Sequence, residues 1–410
     1  MIRKGLKLSF LFIAALVLTV FAVGPLAGQA KVVNVWTHYA ASTDLQYWQA
    51  LEKDFFAKTG IKMNTTVAPQ RGNVYMEKLA TMLASKDDSF DATEFPSGTT
   101  SSYVAAGYIA SIDDIVTPAM RKDFTILDGV NIIDGKLYSL PCTSESVFLF
   151  VNKDLFRKAG LKYPRTQKEF IDTGKALTKG GVYATGAYWS KDFLNVELPR
   201  YILQFNADIY NWNNPNNREM LQYMYDLIYT YKIMPESVLA DNMDVLNQKF
   251  IDGKYAMVYQ YPYLADGLGK KFLTMAEIAP VPTYKSNKTI FGGWSFGLNA
   301  QAVNKSTAAE FIKYLTTKDA QTFFCSFSTA MSAGSNSVMS DPKIVAKLPV
   351  LKYVAQYSAA GSNASVITDP RDGIAAQARA DAIHRFLTKQ IKIDEAIALC
   401  QKGVEEMKNQ

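Results

Sequence analysis

From residue 31 onward, short apolar runs alternate with segments whose apolar residues recur every three to four positions. Residues 32–36 form a run suited to a buried strand. From about Asp44, the side chains of Leu45, Trp48, Leu51 and Phe55 fall on one helical face, and Gly60 is placed to stop that helix. Residues 62–67 read as a second strand, 75–84 as a second helix and 90–95 as a third strand. This β-α-β-α-β order predicts a sheet with parallel strands and right-handed crossovers. Ligands of such sheets sit beyond the carboxyl ends of the strands. That rule singles out Trp36, Thr37, His38 and Glu94.

The pattern continues through the middle of the chain. Residues 147–151 are another apolar run. Asn152 is suited to cap the helix after it, and Gly160 to end that helix in a left-handed conformation. Thr166 with Glu169 spells a capping box. Asn216 with Glu219 predicts another helix start, and Met220, Tyr223, Met224, Leu227, Ile228 and Tyr231 give that helix an apolar face. Residues 250–259, FIDGKYAMVY, read as helix end, turn and strand. Ala308, Phe311, Ile312 and Leu315 mark a later helix. No internal repeat or low-complexity tract interrupts the alternation, which predicts an α/β protein.

The first 30 residues differ from the rest. Arg3, Lys4 and Lys7 precede an almost wholly apolar stretch, residues 8–23, and small residues follow at Gly28 and Ala30. This is the layout of a secretory leader cleaved after about Ala30; the alternative is an uncleaved membrane anchor. Leu26-Ala27-Gly28 begins like a lipoprotein box, but Gln29 stands where the lipidated cysteine would be, so thioether attachment there is chemically impossible. The expectation is an exported protein of the periplasm.

Composition narrows the function. The chain carries 44 basic and 38 acidic residues, and loss of the leader's three cations lowers the net charge from +6 to +3. With no clustered Lys/Arg stripe, nucleic acid is not an expected partner. Cys142, Cys325 and Cys400 allow one disulfide at most, with three pairings open; the plainer reading makes them buried small hydrophobes. With only His38 and His384 and no C-x-x-C, no metal site or cofactor is expected.

One stretch is more specific than the rest. Residues 134–170, DGKLYSLPCTSESVFLFVNKDLFRKAGLKYPRTQKEF, join an Asp134-Gly135-Lys136 turn, a run ending in N-K-D-L-F-R-K-A-G-L and the helix start at Pro164 to Phe170. Together these resemble the extracytoplasmic family 1 solute-binding proteins of ABC importers, which carry sugars. Residues 250–259, 291–299 (FGGWSFGLN) and 308–321 are similar to further family segments. The resemblance covers most of residues 31–330 and is weak from 335 to 375. It implies a two-lobed periplasmic-binding-protein fold, each lobe a mostly parallel sheet flanked by helices, joined by a multi-strand hinge. Residues 31–143 with 290–333 would form one lobe, and 144–289 with 334–410 the other. It also implies a carbohydrate ligand, transmembrane permease subunits as partners and a monomer with no enzymatic activity.

A sugar presents apolar C–H faces, which stack on aromatic rings, and hydroxyls, which need fixed donors and acceptors. Trp36 and Trp294 are the leading platforms; each could instead be a core aromatic. Trp189, in GAYWSKDF, is read as contact or packing, and Tyr261 is the nearest match to an aromatic contact that the family often carries. Glu94 and Glu145 lead the polar candidates, with a hinge salt bridge as the alternative for Glu145. His38 and Arg71 follow strands, and Arg371, beside Asp372, would close the cleft from the second lobe or pair with that neighbour.

Two other functions fit the residues. A receptor of the same fold for a polyol, a glycerophosphodiester or another organic solute would use the same cleft. An exported glycan hydrolase would use paired carboxylates such as Glu94 and Glu145 as acid and base; the chain has no G-x-S-x-G elbow and no H-E-x-x-H.

Overall fold

The computed structural model describes residues 31–409 apart from 38–41, 69–71, 270, 326–331, 349, 352, 354–365, 368 and 370. The expected leader, His38 and Arg71 lie outside the described residues. In chain order the strands are β1 (Val32–Thr37), β2 (Lys62–Val67), β3 (Ala92–Pro96), β4 (Ile109–Ala110), β5 (Ile132–Ile133), β6 (Lys136–Leu137) and β7 (Leu140–Pro141). They continue with β8 (Glu145–Ser146), β9 (Phe148–Asn152), β10 (Tyr183–Gly186), β11 (Tyr255–Gln260), β12 (Ala276–Ala279), β13 (Phe291–Gly292) and β14 (Trp294–Asn299).

Two sheets organise the chain. The first has six strands, in the order β2-β1-β3-β14-β4 with β7 also on β14. The second has the order β10-β11-β9-β12. Both are mixed, which corrects the expectation of mostly parallel sheets. β1 runs parallel to β2 and β3, but β14 enters the first sheet against β3, setting Trp294 opposite Pro96 and Phe296 opposite Glu94. β9 lies antiparallel to both β11 and β12, so only β10 and β11 run parallel among the described strands of the second sheet. The physical reason is the path of the chain: β9 and β14 each arrive from the opposite sheet rather than through a local helical crossover.

Alternation along β1 sends Val33 and Val35 to one face, with Trp48, Leu51, Phe55 and Phe311, and Trp36 to the other, with Leu79, Phe95 and Tyr103. Each such side chain contributes about 1.5–3 kcal/mol by leaving water. β9 is buried at every position, as its unbroken apolar run requires. The second sheet and the C-terminal helices Asp372–Leu387 and Ile393–Lys408 share one core with helices Leu194–Phe205 and Pro215–Tyr229. No helix among the described residues is long and apolar enough to cross a membrane.

The local signals act as physical chemistry dictates. Asn152 accepts from the backbone N–H groups of Asp154 and Leu155 at 3.1 and 3.2 Å, and Gly160 ends that helix at φ 68°. Thr166 accepts from the Glu169 N–H at 3.2 Å, while the Glu169 carboxylate takes the Arg165 N–H at 2.6 Å. The helix expected to start at Asn216 is instead capped by Asn214. Pro215 takes the first position, where its missing N–H costs nothing, and Asn214 accepts from the Asn216 N–H at 3.0 Å. Cys142, Cys325 and Cys400 are buried free thiols. All three are free, so none of the open pairings forms, and burial pushes the Cys325 and Cys400 thiols up to about 12.

Three segments join the sheets: residues 141–147, 289–294 and 332–335. Cys142 donates its N–H to the Trp294 carbonyl at 2.8 Å, and Gly334 donates to the Cys142 carbonyl at 3.0 Å. β8 pairs with β13, setting Glu145 opposite Gly292. Gly293 has φ 140°, and a Cβ there would lie 2.1 Å from the Thr143 carbonyl oxygen. At Gly334 a Cβ would meet the Pro141 oxygen at the same distance. Both glycines permit backbones to touch where the segments cross. Gly293→Ala is expected to destabilise the protein by about 1–3 kcal/mol. A midpoint of denaturant unfolding indistinguishable from the parent would show that the crossing tolerates a side chain.

Candidate functional site

The carboxyl ends of β1 and β3 meet the crossing segments, and most of the candidate residues gather there. Trp36, on β1, is 7% exposed. The Lys78 ammonium lies 4.8 Å from its ring centroid and covers part of one face. The Trp36 Nε1–H is buried and has no hydrogen-bond partner among the described residues. Such a donor is suited to a ligand hydroxyl or a trapped water.

Glu94, on β3, is 1% exposed and accepts a hydrogen bond from the Thr37 hydroxyl. Tyr75, from helix Gly72–Ala84, donates its hydroxyl to the Glu94 carbonyl at 2.6 Å. The same ring stands 6.1 Å from Trp294, tilted by 57°. Trp294 is half-buried at the start of β14 and packs against both clusters of the first lobe. Its N–H donates to the Thr143 hydroxyl at 3.0 Å, so its backbone is tied to the hinge.

Glu145 sits on β8 within the hinge, half-buried. Burial, and then the nearby Glu94 charge, push its carboxyl up to about 7. Glu145 in turn acts on Tyr261, whose phenol is raised first by burial and then by that carboxylate. Tyr261 is the first residue after β11, and its N–H donates to the Gln260 side chain at 2.9 Å. Tyr188, within electrostatic reach of Glu197, Tyr261 and Tyr263, carries a buried hydroxyl with no hydrogen-bond partner among the described residues. The site thus has two sides: Trp36, Tyr75, Glu94 and Trp294 from the first lobe, and Tyr261 from the second, with the fully buried Tyr188 in the core near it. Glu145 lies between the two sides.

Behind the second wall is a buried ion pair. Arg200 donates to Glu197 at 2.5 Å and to Gln204 at 2.9 Å. Its guanidinium stacks between Tyr201, at 3.9 Å, and Tyr259, at 3.8 Å. Burial lifts the Glu197 carboxyl above its ordinary value, against the pull of Arg200.

Two candidates stand apart from this group. Trp189 is fully buried in the second core, 5.8 Å from Tyr201, so it packs behind the wall rather than lining it. Arg371 is exposed and holds Asp369 through two hydrogen bonds, of 3.0 and 2.8 Å. Asp372, the neighbour expected to pair with it, instead binds the buried Arg379 at 2.9 Å. Helix geometry explains this: seven residues apart, Asp372 and Arg379 lie on one face, whereas Arg371 precedes the first turn.

Sequence reasoning missed Tyr75, Lys78, Tyr188 and the Glu197–Arg200 pair. Tyr75 and Lys78 are three apart on a helix after β2, a spacing that puts both on one face. Nothing local shows that this face meets β1. The three-residue spacing of Glu197 and Arg200 was likewise legible, but not their burial.

The Glu145 environment gives a pH prediction. A carboxyl raised from 4.5 to about 7 binds more protons folded than unfolded. Its contribution to stability is therefore present at low pH and is lost as pH rises from about 4.5 to about 7. Glu145→Gln should raise the thermal midpoint above pH 7 by about 4 °C, with the gain falling to zero by about pH 4. An equal shift at pH 5 and pH 8 would contradict this assignment.

A family model described as bacterial extracellular solute-binding protein matches residues 39–322. A binding protein of Brucella abortus (strain 2308) is 25% identical over 261 residues, or 61% of this chain and 62% of that relative. The chain therefore spans less than two thirds of that relative's length. Maltose-bound MalE3 of T. maritima has a TM-score of 0.77 at 19% identity, covering 91% of this chain and 99% of that one. A solute-binding protein of Agrobacterium radiobacter K84 in complex with ribitol has a TM-score of 0.75 at 20% identity, covering 92% and 98%. The two-lobed α/β fold expected from the sequence is the fold of these proteins.

Proposed function

The chain belongs to the bacterial extracellular solute-binding proteins, and from that premise we propose that it binds a sugar or short oligosaccharide between its lobes and delivers it intact to an ABC importer permease. The observation that carries this reading is the convergence of Trp294, Trp36 and Tyr261 with Glu94 and Glu145 where the hinge meets the strand ends. Indole and phenol rings offer flat apolar surfaces to C–H faces, and carboxylates accept hydroxyl protons. A ligand touching both walls stabilises the closed form by its differential affinity for it. Closure then presents a new surface to the permease. The protein works as an exported monomer in the periplasm, its leader removed after about Ala30, and it leaves the ligand chemically unchanged.

His38 and Arg71 belong to the proposed set because, in sequence, His38 follows β1 directly and Arg71 stands in the stretch after β2. Trp189 supports the second wall from behind, and Arg371 acts at the edge of the second lobe. Sugar binding by the maltose-bound relative supports the carbohydrate reading. The ribitol complex favours a second reading, a linear polyol in the same cleft. Calorimetric titration against mono-, di- and oligosaccharides and polyols separates the two, with recovery of the ligand afterwards testing for hydrolysis. Tight binding of another solute class with no carbohydrate response would overturn the sugar assignment.

A further inference from the structure

Asp123 is not among the proposed ligand contacts, yet it gathers the chain where it leaves the third crossing. Its neighbour Phe124 is buried in the core of the first lobe. Arg121 braces the same stretch, donating to the Val116 carbonyl at 2.9 Å and to the Asp113 carboxylate at 2.8 Å. The Asp123 carboxylate accepts from the Ser337 N–H at 2.8 Å, from the Ser337 hydroxyl at 2.7 Å and from the Ser335 hydroxyl. Its backbone carbonyl takes the Asn336 N–H at 2.6 Å. Gln321, buried on helix Lys318–Phe324, accepts from the Gly334 and Ser335 N–H groups at 2.9 and 3.1 Å. Residues 334–337 are thus held to the first lobe from two separate stretches.

The next residues belong to the other side. Val338 and Met339 are buried in the core cluster that contains β9 and β11 of the second sheet. The polar anchor ends at Ser337 and the apolar anchor begins at Val338, so the chain has no slack between them. Upstream, the Ser332 hydroxyl accepts from the Ser144 N–H at 3.1 Å and donates to the Ser144 carbonyl. Gly334 donates to the Cys142 carbonyl, and Cys142 donates to the Trp294 carbonyl. An unbroken series of hydrogen bonds therefore links Asp123 and Gln321, through residues 334–337 and Cys142, to Trp294.

We propose that Asp123 is a positioning residue for solute capture: it holds residues 334–337 on the first lobe and so fixes, through Cys142, the place of Trp294 at the hinge. This rests on the reading of Trp294 as a platform between closing lobes. Hydrogen bonds to an ionised carboxylate are about twice as strong as neutral ones, and three on one carboxylate fix its partners in place. Without them the segment follows Val338 and Met339 when the second lobe turns. Cys142 and the Trp294 backbone then lose their support, and a solute must order them as it binds, which lowers affinity.

The test compares Asp123→Ala with the parent mature protein, by hydrogen exchange without solute and by calorimetry with the solute found by titration. Exchange in residues 142–147 and 289–294 should rise about tenfold or more, and affinity should fall about fivefold or more. Asp123→Asn should restore most of both, because its amide oxygen still takes the Ser337 N–H. Asp91→Ala controls for plain loss of stability: that carboxylate holds the Asn34 and Asn304 N–H groups, each at 2.8 Å, at the other end of β3. Where Asp123→Ala does not fold, Ser337→Ala, at an exposed position, should shift both readouts in the same direction by less. Added exchange confined to residues 334–341, or an affinity loss no larger than that of Asp91→Ala, would overturn the proposal. If no carbohydrate or polyol binds the parent, the solute reading fails, and the exchange pattern alone decides the role of Asp123.

Discussion

Arg200→Met should destabilise the protein by about 3–5 kcal/mol, the largest single-residue effect expected outside the hinge. Arg200 and Glu197 are 1% and 2% exposed in their side chains, so removal of the guanidinium strands a carboxylate where water cannot reach it. Part of the loss is also stacking, because the guanidinium lies between the Tyr201 and Tyr259 rings. The double change Arg200→Met, Glu197→Gln should recover much of the stability, since no bare charge then remains buried. Denaturant unfolding of both variants checks this. A single variant that loses less than about 1 kcal/mol would place the pair in water rather than in the core.

Trp294→Ala should act on binding more than on folding. The indole is half-buried, ties two clusters together and stands beside Tyr75 at the edge of the hinge. Loss of one stacking platform removes about 0.5–1.5 kcal/mol beyond the area buried. With that area included, affinity should fall about tenfold or more. Trp36→Ala should show a smaller loss, because Lys78 already covers part of its ring and only 7% of the residue reaches solvent. Calorimetry on the ligand found by titration decides the order. If Trp36→Ala weakens binding more than Trp294→Ala, the ammonium must be displaced when ligand enters.

How far the sequence could be read depended on the range of the interaction involved. Strand β2 and the Asn152 and Gly160 ends of one helix were legible because caps, turns and periodicity act within a few residues. The motif around residues 134–170 gave the two-lobed plan. The direction of β9 and β14 was not legible, since strand sense depends on where the chain arrives from. Trp189 shows the same limit at the site. The residues around it leave ligand contact and packing both open, and only the fold, with helix Leu194–Phe205 packed nearby, shows that it is buried. For Arg371 the sequence leaves cleft closure or a pair with Asp372 open; the helix that starts there turns Asp372 inward to Arg379, and Arg371 holds Asp369 instead. The motif puts Glu145 in the hinge; its carboxyl is raised first by burial and then by Glu94, 51 positions earlier, and both depend on the folded packing.

The central claim is mechanical: two lobes close on a solute at the crossing strands. Small-angle X-ray scattering with and without the ligand identified by titration tests it most directly. The account predicts a smaller radius of gyration on ligand addition, and no such change in a Trp36→Ala, Trp294→Ala variant. An unchanged scattering profile at saturating ligand would contradict it.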